Sequence, residues 1–182
     1  MTMAKLLYSA TMSLDGFIAG PGGDMHWMAR LPDTGPHEVA DGLWKQIGSL
    51  LVGAHTYGGD DPNAGTDAEG AFGGLWSGPQ FVLTHNPPAR PVPGVTFVTD
   101  LRTGVDAALA AAGDRYTNVL GADVAAQCLQ AGLLDEILVF VAPVLLGDGT
   151  PLFRKAGGTF AELEEISSAT GPSPAIWYRV RK

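Results

Sequence analysis

The residues able to do chemistry in this chain cluster at the ends of apolar runs, and most of them are suited to holding a ligand rather than to attacking one. Leu51-Val52-Gly53-Ala54-His55-Thr56 ends a β-type run in a glycine, with a hydroxyl three residues on. Such a turn can offer backbone N–H groups and Thr56 to a phosphate. Asn118-Val119-Leu120-Gly121-Ala122-Asp123-Val124 reads as strand, glycine turn and helix start, and the free N–H groups and positive dipole end of that helix suit a diphosphate. As a helix N-cap, Asp123 would present a negative charge there. Phe81-Val82-Leu83-Thr84-His85-Asn86-Pro87 places Thr84 and His85 at a strand's carboxyl end, where open α/β sheets bind ligands. Ser13-Leu14-Asp15-Gly16-Phe17-Ile18-Ala19-Gly20 follows the first apolar run, and its glycines let the backbone lie flat against a ligand.

Other chemistries are excluded by what is missing. His26, His37, His55 and His85 are not spaced as metal ligands, and no cysteine joins them, so no metal is expected. There is no Gly-x-Ser-x-Gly, no Walker motif and no Gly-x-Gly-x-x-Gly after a strand. Cys128, with apolar helix neighbours, is expected to be inert core.

The elements that must position these residues alternate. β-type runs are Leu6–Met12, Leu50–Gly53, Phe81–Thr84, Val95–Val98, Asn118–Gly121, Ile137–Leu146 and Ile176–Val180. Helices are expected over Pro36–Ile47, Val105–Ala112 and Asp123–Ala131. That alternation predicts a largely parallel, buried sheet. The tail, with Ile137–Leu146, Phe160–Ser168 and Ile176–Arg181 joined by Gly/Pro-rich turns, predicts antiparallel strands at one edge. Gly58–Gly78, with seven glycines and four acidic residues, predicts a long irregular loop, functional or mobile.

In order and spacing these segments resemble the dihydrofolate-reductase-like family, and in particular the reductase domain of bacterial riboflavin-biosynthesis deaminase–reductases. The likeness runs over about residues 4 to 180. It implies one domain over 1–182, α/β, with a three-layer αβα fold and a mixed, mostly parallel sheet ending in antiparallel C-terminal strands. It implies an NAD(P)H-dependent oxidoreductase that transfers a hydride to a small heterocyclic substrate, pterin or pyrimidine. NADPH is the expected cofactor, NADH the open alternative, because Ala54 stands where many relatives carry the Arg that meets the 2′-phosphate. By the same resemblance Gly53, His55, Thr56, Gly121, Ala122, Asp123 and Val124 hold the diphosphate region. Thr84 and His85 take the adenosine half, and Ile18 and Ala19 cover the nicotinamide.

The chain departs from these relatives in three further places. Ala122 replaces a glycine, Ser9 a lysine of the riboflavin branch, and Leu120 a glutamate. The catalytic group is unassigned, with Ser13, Asp15 and Asp61 as candidates and Asp60 beside the last. Asp33, Glu38 and Asp41 are the carboxylates near the position where dihydrofolate reductases keep their acid. The rival reading is a non-catalytic module that binds a nucleotide or small metabolite on the same fold.

Composition narrows the partners. The 182 residues carry a net charge of −8, which argues against nucleic acid or an anionic membrane. One cysteine and no long apolar span imply a reduced, cytoplasmic protein. A homodimer is expected, from the long apolar run Ile137–Leu146 and an otherwise open sheet edge.

Overall fold

The computed structural model describes residues 4–32, 37–59 and 61–182. Its strands are β1 (Leu6–Ser13), β2 (Phe17–Ala19), β3 (Ile47–Gly53), β4 (Gln80–Leu83), β5 (Val95–Val98), β6 (Tyr116–Leu120), β7 (Glu136–Ala142), β8 (Thr150–Pro151), β9 (Leu163–Ala169) and β10 (Ala175–Val180). Its α-helices are α1 (Ala40–Leu43), α2 (Ala54–Tyr57), α3 (Leu101–Ala112) and α4 (Ala122–Gln130). One eight-stranded sheet runs β5-β4-β3-β6-β1-β7-β10-β9. It is parallel from β5 to β7, and β10 is antiparallel to both of its neighbours. β2 and β8 form a separate antiparallel ribbon.

Strand alternation divides the core. Leu6 and Tyr8, Leu51, Phe81, Val119 and Ile137 face one side, where Val105 and Ala108 of α3 and Val124, Ala125 and Cys128 of α4 cover them. Leu7, Leu50, Val52, Val82 and Leu138 face the other. There the covering layer is thin, made of Leu43 of α1 and of Trp76, whose Nε1 donates to Ile47 O at 3.0 Å. The loop between α2 and β4 therefore supplies part of the third layer.

Several elements differ from the sequence reading. The expected helix Pro36–Ile47 is reduced to α1 and a 3-10 turn over Trp44–Gln46, and Ile47, fully buried, already opens β3. Pro36 itself, like Asp33 and Asp60, lies outside the described residues. α3 starts four residues earlier than Val105, because Asp100 caps it by accepting from Thr103 N at 2.8 Å. Asp123 does not cap α4; Gly121 does, with no side-chain bond.

The run Ile137–Leu146 is a strand only to Ala142. Pro143 has no N–H to continue the ladder. Beyond it Val144 O accepts from Leu14 N at 2.8 Å. β7 lies between β1 and β10, so its apolar content reflects a central position and not an edge. The open antiparallel edge is β9. Among the described residues no helix is long and apolar enough to cross a membrane, and no group of side chains could hold a metal ion.

Candidate functional site

Four candidate segments leave the carboxyl ends of four consecutive parallel strands: Thr84–His85 after β4, Gly53–Thr56 after β3, Gly121–Val124 after β6, and Ser13–Ala19 from the end of β1 through β2. The two in the middle interlock. β3 and β6 pair as far as Val52 and Leu120, which sets Gly53 beside Gly121. A Cβ on Gly121 would stand 2.6 Å from Thr56 Oγ1, and its φ of +111° is closed to ordinary side chains. A Cβ on Gly53 would meet Val124 Cγ2 at 3.1 Å. The two glycines thus let α2 and the start of α4 close into one cradle.

The first bond of that helix runs from Ala125 N to Gly121 O, so helix geometry leaves the N–H groups of Ala122, Asp123 and Val124 without an intrahelical acceptor. Ala122 and Val124 are buried and Asp123 is exposed. Asp123 Oδ2 lies 3.7 Å from His55 Nδ1, which is also exposed. A cation at His55 would offset the carboxylate at an otherwise anion-accepting helix end. On the next strand, Thr84 N donates to Val98 O at 2.9 Å and Thr84 Oγ1 accepts from Asn86 N at 3.1 Å, with His85 exposed beside it.

The first loop is fastened rather than loose. Ser13, fully buried, accepts from Phe17 N at 3.0 Å. Asp15 accepts from Leu146 N at 3.1 Å and Gly147 N at 2.7 Å. The Ser13 hydroxyl first, and then those two N–H groups, hold its carboxyl below the usual carboxylate range. Phe17 and Ala19 pair with Pro151 and Thr150, and Leu152 N donates to Gly16 O at 2.9 Å. Ile18 is half-buried and Ala19 buried in that ribbon. Ahead of the next strand Trp27 is buried with its Nε1 lacking any hydrogen-bond partner.

The remaining carboxylates are dispersed. Asp61 accepts from Asn63 N and Gly70 N, both at 2.8 Å, and so organises its own loop. Asp41 accepts from His37 N at 3.0 Å. Glu38 lines a recess of about 130 Å³ with Leu138, Ser167, Ser168 and Trp177, on the β7–β10–β9 side of the sheet. Ser9 and Leu120 are half-buried neighbours on the thinly covered face. Cys128 is buried in α4, and burial pushes its thiol up to about 12.

The sequence reading did not contain the Asp15 bonds to Leu146 and Gly147, which join residues more than a hundred positions apart. Nor did it contain the His55–Asp123 contact or the unpaired Trp27 Nε1. The placement of a buried aromatic just after a glycine-rich loop was the only signal for the last of these.

Comparison with known proteins bears on the same segments. Residues 4–173 match a family model described as the RibD C-terminal domain. The Bacillus subtilis protein YwjB is 25% identical over 158 residues, covering 85% of each chain. Of solved structures, a putative riboflavin biosynthesis protein from Shewanella sp. PV-4 superposes with a TM-score of 0.74 at 23% identity, over 98% of this chain and 99% of that one. The Thermotoga maritima diaminohydroxyphosphoribosylaminopyrimidine deaminase/5-amino-6-(5-phosphoribosylamino)uracil reductase gives 0.69 at 16% identity, over 98% of this chain and 57% of that longer one. The architecture expected from the sequence, a dihydrofolate-reductase-like αβα sandwich, is the one found.

Proposed function

The chain belongs to the RibD C-terminal domain family, and from that premise we propose that it is a reductase that draws on a reduced nicotinamide dinucleotide, NADPH before NADH, to reduce a small pyrimidine- or pterin-like heterocycle. The observation that carries this reading is the interlocked pair Gly121 and Thr56 at the mouth of two adjacent parallel strands. A glycine at a positive φ that strains other side chains, beside an uncapped helix start, fits the close approach of a diphosphate. The exposed Asp123 opposes that fit, with His55 Nδ1 3.7 Å from its carboxylate.

When bound, the cofactor supplies the hydride. The chain's own residues hold and orient. The N–H groups of Ala122–Val124 and the Thr56 hydroxyl take the diphosphate. Thr84 and His85, one strand away, take the adenosine end. Ser13, Asp15 and the β2–β8 ribbon fix the loop that covers the reacting end and excludes water there.

One observation favours the rival reading of a binding module without turnover. Ser13, Asp15 and Asp61 are each engaged by backbone or neighbouring side chains, so none stands free as an acid. Cofactor oxidation decides between the two. Purified protein is first titrated with NADPH and with NADH, reading tryptophan fluorescence, and is then assayed for oxidation of the bound cofactor on a panel of amino-pyrimidines and dihydropterins. Binding with turnover supports the reductase; saturable binding with no turnover on either class supports the module.

A further inference from the structure

The sheet face beneath α1 is covered unevenly. β1 pairs on both sides, yet Ser9 and Thr11 are half-buried where Leu7, on the same face, is fully buried. The register carries Leu120 alongside Ser9 and sets Phe140 beside Thr11, and both of these are half-buried too. The covering layer therefore stops short of the carboxyl halves of β1, β6 and β7, next to Gly121 of the cradle. Polar groups without protein partners lie on this face. Among the described residues neither the Ser9 nor the Thr11 hydroxyl has a hydrogen-bond partner. Deeper on the same face Asn118 is buried with both amide atoms unpaired.

We propose that this opening binds a small uncharged heterocycle, one that carries neither phosphate nor carboxylate, with its ring on Leu120 and Phe140 and its polar edge on the Ser9 and Thr11 hydroxyls. The assignment rests on the reductase reading above, in which that heterocycle is the hydride acceptor. Alternate residues of a strand stand about 6.6 Å apart, a span that one ring with its exocyclic groups bridges. A hydroxyl both donates and accepts, so the pair suits the amide and amino groups of a neutral ring.

Charge decides against an anion. The covering stretches, residues 37–46 and 58–78, carry six acids against a single lysine, Lys45, and no arginine. Lys45 Nζ lies over the Trp44 ring, 5.5 Å from its centre. His37, edge-on to Phe140 at 5.2 Å, has its ring nitrogens on Ser173 O and on the N–H groups of Val39 and Ala40. A phosphate brings about two negative charges. Here it would enter an acidic surround above a floor of hydroxyl and apolar side chains.

Calorimetric titration of the full chain tests this with two matched pairs: an aminouracil against its ribosyl 5′-phosphate, and a dihydropterin against the same ring extended by a benzoylglutamate tail. Each is titrated with and without saturating NADP+. The uncharged member of each pair should bind about tenfold tighter or more. Ser9→Ala and Thr11→Val should each weaken it by about fivefold, the worth of one hydrogen bond. Glu38→Lys with Asp67→Lys should narrow the gap at low salt, and high salt should remove that gain. Charged members that bind as tightly as the uncharged ones, uncharged rings that do not bind at millimolar concentration, or hydroxyl variants that bind as the wild type does overturn the assignment. Uncharged rings that bind in this way to a chain that does not bind NADP+ would sink the reductase reading and leave the opening's preference standing.

Discussion

The Thr56 hydroxyl fills the space that a side chain at position 121 would need: a Cβ on Gly121 would lie 2.6 Å from it. Gly121→Ala must both push Thr56 aside and hold an alanine at positive φ. It should cost about 1–2 kcal/mol of stability and weaken nicotinamide-dinucleotide binding by about tenfold or more. Thr56→Val keeps the shape and removes the hydroxyl, so it should weaken binding with little change in unfolding temperature. Calorimetric titration with thermal unfolding separates the two. An Ala variant that binds as the wild type does would remove the cradle from the account.

His55 and Asp123 face each other in the open at 3.7 Å, so their contact adds little to the fold. Its weight should fall on the cofactor. Asp123→Asn removes the charge that opposes a diphosphate and should raise affinity, while costing up to about 1 kcal/mol of stability by taking an acid from a helix start. His55→Ala should lower affinity, and by less in the Asn background, because part of its effect is to offset Asp123. A double-mutant cycle on the dissociation constants gives the coupling. Additive effects would mean that the two side chains act independently.

Asp15 fastens the first loop to residues 146 and 147, and its pKa in the folded chain lies below the ordinary value of 3.8. A depressed carboxyl stabilises the fold above its unfolded value and loses that contribution as pH falls through the folded one. Asp15→Asn should therefore be less stable than wild type at neutral pH, with the gap narrowing below about pH 4. Denaturant unfolding across pH measures it. A gap that is constant with pH would show that the carboxylate's charge plays no part.

Asn118 is fully buried on β6 between Leu7 and Leu50, and neither of its amide atoms has a hydrogen-bond partner. A buried polar group left unpaired costs about 1–3 kcal/mol. Asn118→Leu should therefore stabilise the chain, raising the unfolding temperature by about 2–4 °C for each kcal/mol at this size. A fall instead would mean that the amide is bonded in solution and supports the core.

The sheet was legible because β1, β3, β6 and β7 carry apolar residues on consecutive positions, as strands covered on both faces must. Gly53 and Gly121 were legible as turns at strand ends. What was hidden depends on contacts distant in sequence. Val39, Leu43, Trp44 and Ile47 keep a helical spacing, yet Ile47 pairs in the sheet, so the pattern spanned a helix, a turn and a strand. β2 and β8 are three and two residues long, too short to show a period. Trp76 packs under the sheet from a glycine-rich loop whose composition reads as solvent-exposed. Asp15 read as a candidate acid because its partners, the N–H groups of Leu146 and Gly147, are backbone and leave no trace in residue type.

On the proposed function, the cradle of Gly53–Thr56 and Gly121–Val124 holds a reduced nicotinamide dinucleotide. Backbone amide resonances followed during an NADPH titration test it most directly. Binding should be saturable, with the largest shifts at Gly53, His55, Thr56 and Gly121 through Val124, smaller ones at Thr84 and His85, and none at β9. Saturable binding that leaves the amides of 53–56 and 121–124 unmoved, or no binding at millimolar NADPH or NADH, would contradict it.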